Sequence, residues 1–338
     1  MLHQRLLILL ISLLFIPFSY SQNINDSKPL EVIKPLEKPA YLKIGDTIAI
    51  VAPAGILKDR EPIEQAVKLV ESWGLHVILG KHLFGNNFHF SGTENERIED
   101  FQSALDNKNI KAIWCGRGGY GTVRIIDGLD FTEFKKNPKW IIGYSDITVL
   151  HSHIHTLGFE TLHAMMPVNM KVEEKDRIKT VKTFKKALFG KEINYKIAGS
   201  NYNKIGEAKG QLVGGNLAIL QSLLGSVSSI NTNQKILFIE DIGEYLYSID
   251  RMVYALKRSG YFEECSGLII GDISNIKENS TPFGRTFEQI ILEATKEYNF
   301  PILFGFPAGH EDTNKAIFLG REIKMKVGEQ KSIIEFSD

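Results

Sequence analysis

Cysteine is almost missing: Cys115 and Cys265 are the only two in 338 residues. That scarcity excludes a disulfide-stapled scaffold and a zinc site built on thiolates. An excess of charge of one sign is missing too. Forty basic residues balance forty acidic ones, which leaves no global field for nucleic acid or an anionic membrane surface. Eleven prolines and 29 glycines do not suit a collagen-like or broadly disordered chain. No internal repeat or low-complexity segment is visible. What remains is 43% hydrophobic and 24% charged, the composition of a soluble globular protein. At roughly 100 to 200 residues per domain, the length suggests two domains, each with its own core.

The N-terminus stands apart. Arg5 precedes an almost wholly apolar run from Leu6 to Phe18, and Ser19-Tyr20-Ser21 follows with small residues at the positions a signal peptidase reads. The run is short of the roughly 20 residues a membrane span needs, and Pro17 interrupts it. Residues 1–21 therefore read as a cleavable signal peptide, with no membrane insertion expected after cleavage. No cysteine sits at the junction, which argues against lipoprotein processing. Export, to the periplasm, is the expectation. Residues 22–40, with Pro29, Pro35 and Pro39 among several lysines, read as a linker.

From Tyr41 onward, apolar runs ending in glycine loops alternate with helical patterns. Strands are expected within 44–55 and in 76–79, 110–114 and 140–145, and helices in 60–73, after the capping box Thr93-Glu-Asn-Glu96, and in 147–157. That alternation implies a parallel sheet covered on both faces, an α/β domain over 41–169. The lysine-rich stretch 170–206 reads as an inter-domain linker. A second domain over 207–330 contains the strands 235–240, 266–271, 300–305 and 323–327 and an amphipathic helix over 250–260.

In open parallel sheets functional groups gather at the carboxyl ends of strands. Gly143-Tyr-Ser-Asp146 lies at such an end, with the sequence of a strand, a sharp turn and a helix. It fits a nucleophile elbow that exposes the Ser145 oxygen, although Ile147 stands where hydrolases carry the last glycine. Taken locally, it reads first as a plain helix N-cap at Ser145 or Asp146. Cys115-Gly-Arg-Gly-Gly-Tyr-Gly121 brings backbone close to a ligand, or simply turns the chain. Cys115 is either a nucleophile at a strand end or an inert buried thiol. Glu240, leaving an apolar strand, needs a partner: Arg251, Lys257, or a catalytic histidine it would orient. His310, in Gly309-His-Glu311, sits after another apolar strand and is a proton-shuttle candidate or a surface residue. His151, His153 and His155 lack the acid and spacing of a zincin, so no metal and no cofactor is expected.

Six segments taken in order carry a resemblance: Gly45-Asp-Thr-Ile-Ala-Ile-Val-Ala-Pro53, Gly116-Arg-Gly-Gly-Tyr-Gly121, Gly143-Tyr-Ser-Asp146, Gly214-Gly-Asn216, Leu237-Phe-Ile-Glu-Asp241 and Gly309-His310. Together, over roughly 42–327, they resemble the LD-carboxypeptidase (murein tetrapeptide carboxypeptidase) family of serine peptidases, which includes the microcin C immunity peptidases. The resemblance implies a flavodoxin-like N-terminal domain, a smaller β-rich C-terminal domain and a homodimer. It implies a triad of Ser145 as nucleophile, Glu240 as the orienting acid and His310 as base. An oxyanion hole would come from the backbone of Asp146 and of Gly118 or Gly119. The implied substrate is a cell-wall tetrapeptide that loses its terminal D-alanine. Rival expectations are an immunity-type peptidase for aminoacyl-nucleotide antibiotics, a cysteine hydrolase on Cys115, and a non-catalytic binder of wall fragments. Leu162-His-Ala-Met-Met-Pro167 replaces the small His-Gly-Pro turn of relatives, so a different pocket near His163 is expected.

Overall fold

Short, mostly apolar runs of three to six residues make the strands of the first sheet, buried throughout in its central strands β3 and β4 except for Lys111. The computed structural model describes residues 35–337. Its first half runs β1 (Thr47–Val51), α1 (Glu61–Glu71), β2 (His76–Leu79), α2 (Glu94–Asp106), β3 (Ile110–Cys115), α3 (Thr132–Lys136), β4 (Trp140–Gly143), α4 (Thr148–Thr156) and β5 (Thr161–His163). The strands stack in the order 2-1-3-4-5, all parallel, which is the flavodoxin order. The helix α1 turns Ile63, Ala66 and Val70 inward. The expected capping box is present: the Thr93 hydroxyl accepts from the Glu96 N–H, and the Glu96 carboxylate accepts from the Thr93 N–H.

The second half runs α5 (Glu174–Leu188), β6 (Asn194–Ala198), β7 (Gly206–Asn216), α6 (Leu217–Ser222), β8 (Ile236–Ile242), α7 (Leu246–Arg258), β9 (Gly267–Ser274), α8 (Phe287–Ala294), β10 (Ile302–Leu303), β11 (Ile317–Leu319), β12 (Glu322–Val327) and β13 (Lys331–Phe336). A seven-stranded sheet has the order β10-β9-β8-β7-β12-β13-β6. Its β10-β9-β8-β7 part is parallel and the remainder antiparallel.

Residues 170–206 are a correction to the sequence reading. They are not an irregular linker: α5 buries Phe184, Ala187 and Leu188, and β6 forms the edge of the second sheet. The many lysines mark the solvated face of that helix and strand, not a break in the fold. Two further boundaries move. The last strand, β13, extends beyond residue 330, and β11 crosses back to pair antiparallel with β5 in the first sheet. One core cluster accordingly contains Trp114 and Trp140 of the first sheet together with Phe238 and Ile323 of the second. The chain end of the expected 22–40 linker is also anchored: the Glu37 N–H donates to Gly158 O at 2.8 Å. Among the described residues no helix is long and apolar enough to cross a membrane. The expected signal peptide lies outside the described residues.

Candidate active site

Ser145 and the glycine loop follow strands of the first sheet, while Glu240 lies near the end of a strand of the second. Ser145 comes two residues after β4, all four of whose residues are buried. Its φ is +63°, a left-handed conformation for a residue with a side chain. Such strain costs on the order of 1 kcal/mol or more and persists only where the surroundings impose it. Here it turns the chain from the strand into the 3₁₀ turn Ser145–Ile147 and then α4. The plain-cap reading does not hold, because neither Ser145 nor Asp146 caps this turn with its side chain. Asp146 instead reaches sideways, its Oδ2 accepting the Thr122 N–H at 2.9 Å. That bond fixes the far end of the glycine loop to the Ser145 turn.

Glu240 is wholly buried near the end of β8. Opposite it the β8–β9 register slips, so that β9 passes Gly271 and Asp272 while β8 passes Glu240 alone. A bulge of this kind re-aims side chains at a strand end. Beyond β10 the chain runs alongside the end of β9, with Phe306 N–H donating to Ile270 O and Asp272 N–H to Ala308 O, both at 3.0 Å. That path delivers His310 to Glu240, with Nδ1 to Oε2 at 2.7 Å. Gly309 makes the approach feasible: a Cβ there would sit 2.9 Å from the Asp272 Cβ, at a φ of +146°. The alternative partners for Glu240 are engaged elsewhere, Arg251 with the Ser248 hydroxyl and Lys257 with Glu297. The Tyr144 ring packs edge-on to His310 with centroids 5.0 Å apart, which joins the nucleophile turn to the histidine.

Burial opposes a charged imidazolium at His310, but the hydrogen bond and charge of Glu240, with Asp241 and Asp272, outweigh it and raise the pKa above 6.5. Asp272, at the end of β9, is itself pushed up to about 6, first by burial. If neutral His310 is the base, the acid limb of kcat/KM should have its midpoint above 6.5. Asp272→Asn removes a negative neighbour that favours the imidazolium, so the midpoint should move to lower pH. A pH–rate profile of the variant checks the direction, and an upward shift would contradict it.

Gly118 packs directly on Ser145: a Cβ there would lie 3.3 Å from Ser145 Oγ and 3.3 Å from the Asp146 N. Gly119 lies over Gly55 instead. Gly118→Ala should therefore crowd both Ser145 and the Asp146 donor. We expect kcat to drop by about 10²- to 10³-fold, the cost of losing one oxyanion donor, with the melting temperature nearly unchanged. Steady-state kinetics and thermal melts together test this.

Other sequence candidates are placed elsewhere. Cys115 is completely buried in β3, and burial, with the nearby Asp146 charge, pushes its thiol up, so no thiolate is available as a nucleophile. His151 places Nε2 2.9 Å from Gly143 O, and burial lowers its pKa to about 4. His153 Nδ1 lies 2.9 Å from the Ser228 hydroxyl, off the His151 face. His163 does not line an open pocket: it is fully buried between Tyr144 and Phe238. Sequence reasoning missed Asp272, although its place at the end of the apolar strand β9 repeats that of Glu240. It also missed α5, whose Thr180 hydroxyl accepts the Asn314 N–H at 2.9 Å while Asn314 Oδ1 accepts the Gly309 N–H at 3.3 Å, a tether on the His310 loop.

Comparison with known proteins bears on the family and the fold. Residues 48–164 match the LD-carboxypeptidase N-terminal domain and residues 209–325 the LD-carboxypeptidase C-terminal domain. A Bacillus subtilis protein described as "Probable murein peptide carboxypeptidase" is 35% identical over 306 residues, 88% of this chain and 94% of its own. The solved muramoyltetrapeptide carboxypeptidase of Oxalobacter formigenes superposes with a TM-score of 0.78 at 25% identity, over 86% of this chain and 99% of its own. MccF, solved in complex with glutamyl sulfamoyl guanosine, shares the fold with a TM-score of 0.81 at 22% identity, over 90% and 99% of the two chains. With a strained serine, a histidine–glutamate pair and both domain matches in place, the chain belongs to the LD-carboxypeptidase family of serine peptidases.

Proposed function

We propose that the protein removes the terminal D-alanine from murein-derived tetrapeptides, with Ser145 as nucleophile, His310 as base and Glu240 as its orienting acid. The observation that carries this reading is the buried 2.7 Å contact of His310 Nδ1 with Glu240, reached from a different sheet than the strained Ser145. With Nδ1–H donating to Glu240, Nε2 is the lone-pair nitrogen that can take the Ser145 proton. The serine oxygen then attacks the scissile carbonyl, and the oxyanion is held by the N–H groups of Asp146 and Gly118 or Gly119. His310 returns the proton to the departing amine, which leaves as D-alanine. Water, deprotonated by His310, releases the shortened peptide from Ser145.

The protein is expected to work after export, cut between residues 21 and 22, and as a homodimer. The test is incubation of the chain from Gln22 with a disaccharide tetrapeptide, with released D-alanine read by mass spectrometry. The likeness to MccF favours a second reading, hydrolysis of an aminoacyl sulfamoyl nucleoside, which the same assay run on that substrate separates. An all-L tetrapeptide should be cut about a hundredfold more slowly, because inverting the terminal centre misplaces the carbonyl. Equal rates would overturn the L-to-D preference.

A further inference from the structure

In a flavodoxin-ordered sheet the ligand crevice opens where the strand order reverses, here between β1 and β3. The loop that follows β1 is coupled to the active site. The Gly55 N–H donates to Gly118 O, and the Arg117 guanidinium donates to Ile56 O, both at 3.0 Å. Immediately outside that loop is a bowl of about 500 Å³ walled by Leu57, Lys58, Arg60, Phe84, Asn86 and Phe88, with no acid in its lining. The Arg60 guanidinium is preset 4.0 Å above the Phe84 ring. Asp59, which would otherwise neutralise the rim, pairs with Lys171. Neither Lys58 nor Arg60 makes a salt bridge among the described residues, and the Asp59 carboxylate, which Lys58 also helps to hold low, is taken first by Lys171.

Phe88 adds a second, independent signal. It is 94% exposed and holds a φ of +55°, at the tip of a turn closed by Asn87 N–H to Phe90 O and Phe90 N–H to Asn87 O. A bulky aromatic residue held left-handed with almost no packing in return is unfavourable in the free protein. Strain of that kind collects where a ligand is met. The Ile56 N–H donates to His89 O at 3.0 Å, so the turn moves with the loop behind the glycines.

We infer that this bowl is a distal subsite for the carboxylates of an acidic peptide acyl chain, read by Lys58 and Arg60 against the faces of Phe84 and Phe88. The inference rests on the proposed peptidase reading and extends it to the choice among peptides. Charged substrate groups bound here are held equally in ground and transition states, so the effect belongs in KM rather than kcat.

The experiment uses two disaccharide tetrapeptides, one with its acyl-side carboxylates free and one with them amidated, both keeping the terminal carboxylate. On the free-acid peptide, the double variant Lys58→Gln/Arg60→Gln should raise KM about tenfold. On the amidated peptide, wild type and variant should have the same KM. An equal KM change on both peptides, or none on either, overturns the subsite. Calorimetric binding of both peptides to Ser145→Ala and to that variant with the two neutralised positions should give the same pattern without turnover. If wild type releases no D-alanine from either peptide, the peptidase reading falls, while calorimetry still decides the subsite.

Discussion

Ser145→Ala is expected to leave less than about 10⁻⁴ of wild-type kcat, a barrier increase of more than about 5.5 kcal/mol. The physical reason is that the two nucleophilic or acidic groups nearest Ser145 cannot replace its oxygen. Cys115 is buried and held protonated, and Asp146 spends Oδ2 on the Thr122 N–H. Fold and stability should survive, since alanine adopts the same turn and the loop contacts are made by backbone. Adding His310→Ala to Ser145→Ala should cost almost nothing further, because triad members act as a unit and their losses do not add. Single-turnover kinetics of the two single variants and the double variant would show this. A double variant far slower than Ser145→Ala would mean that His310 works on something other than the serine.

Glu240→Gln should lower kcat by roughly 10³- to 10⁴-fold while leaving KM close to wild type. The amide keeps the shape of the buried side chain but can donate to His310 Nδ1, which favours the tautomer with its proton on Nε2. That tautomer has no lone pair aimed at the serine, which is the loss known for an equivalent substitution in serine proteases. The variant also removes the largest influence that raises the His310 pKa, so any residual acid limb should shift to lower pH. Wild-type turnover in Glu240→Gln would show that the 2.7 Å contact is structural only. Circular dichroism keeps that outcome distinct from misfolding, since a glutamine in this place leaves no cavity.

The two halves of the molecule were legible to different depths from sequence. Buried apolar runs located β1, β3, β4, β8 and β9 because each of these strands is covered on both faces and must be continuously hydrophobic, whereas β2 is an exposed edge strand. The capping box at Thr93 and the serine turn after β4 were legible because both are local backbone chemistry. Ser145, Glu240 and His310 could each be named as a strand-end group, yet their residues alone favoured a cap, a salt bridge and a surface histidine. Local sequence carries no information about which strand ends face one another. Sheet order, the Ile239–Asp241 register slip and the passage of 304–310 along β9 decided that Glu240 meets His310 and not Arg251. The same limit explains the misreading of 170–206. Lysine-rich composition records only the solvated side of α5, whereas its buried Phe184 packs on Trp73 and Trp114 and its Thr180 tethers Asn314, all partners distant in sequence. What the sequence determined alone was the chemistry available at each strand end; tertiary structure decided which of those groups share a proton, because that depends on long-range packing.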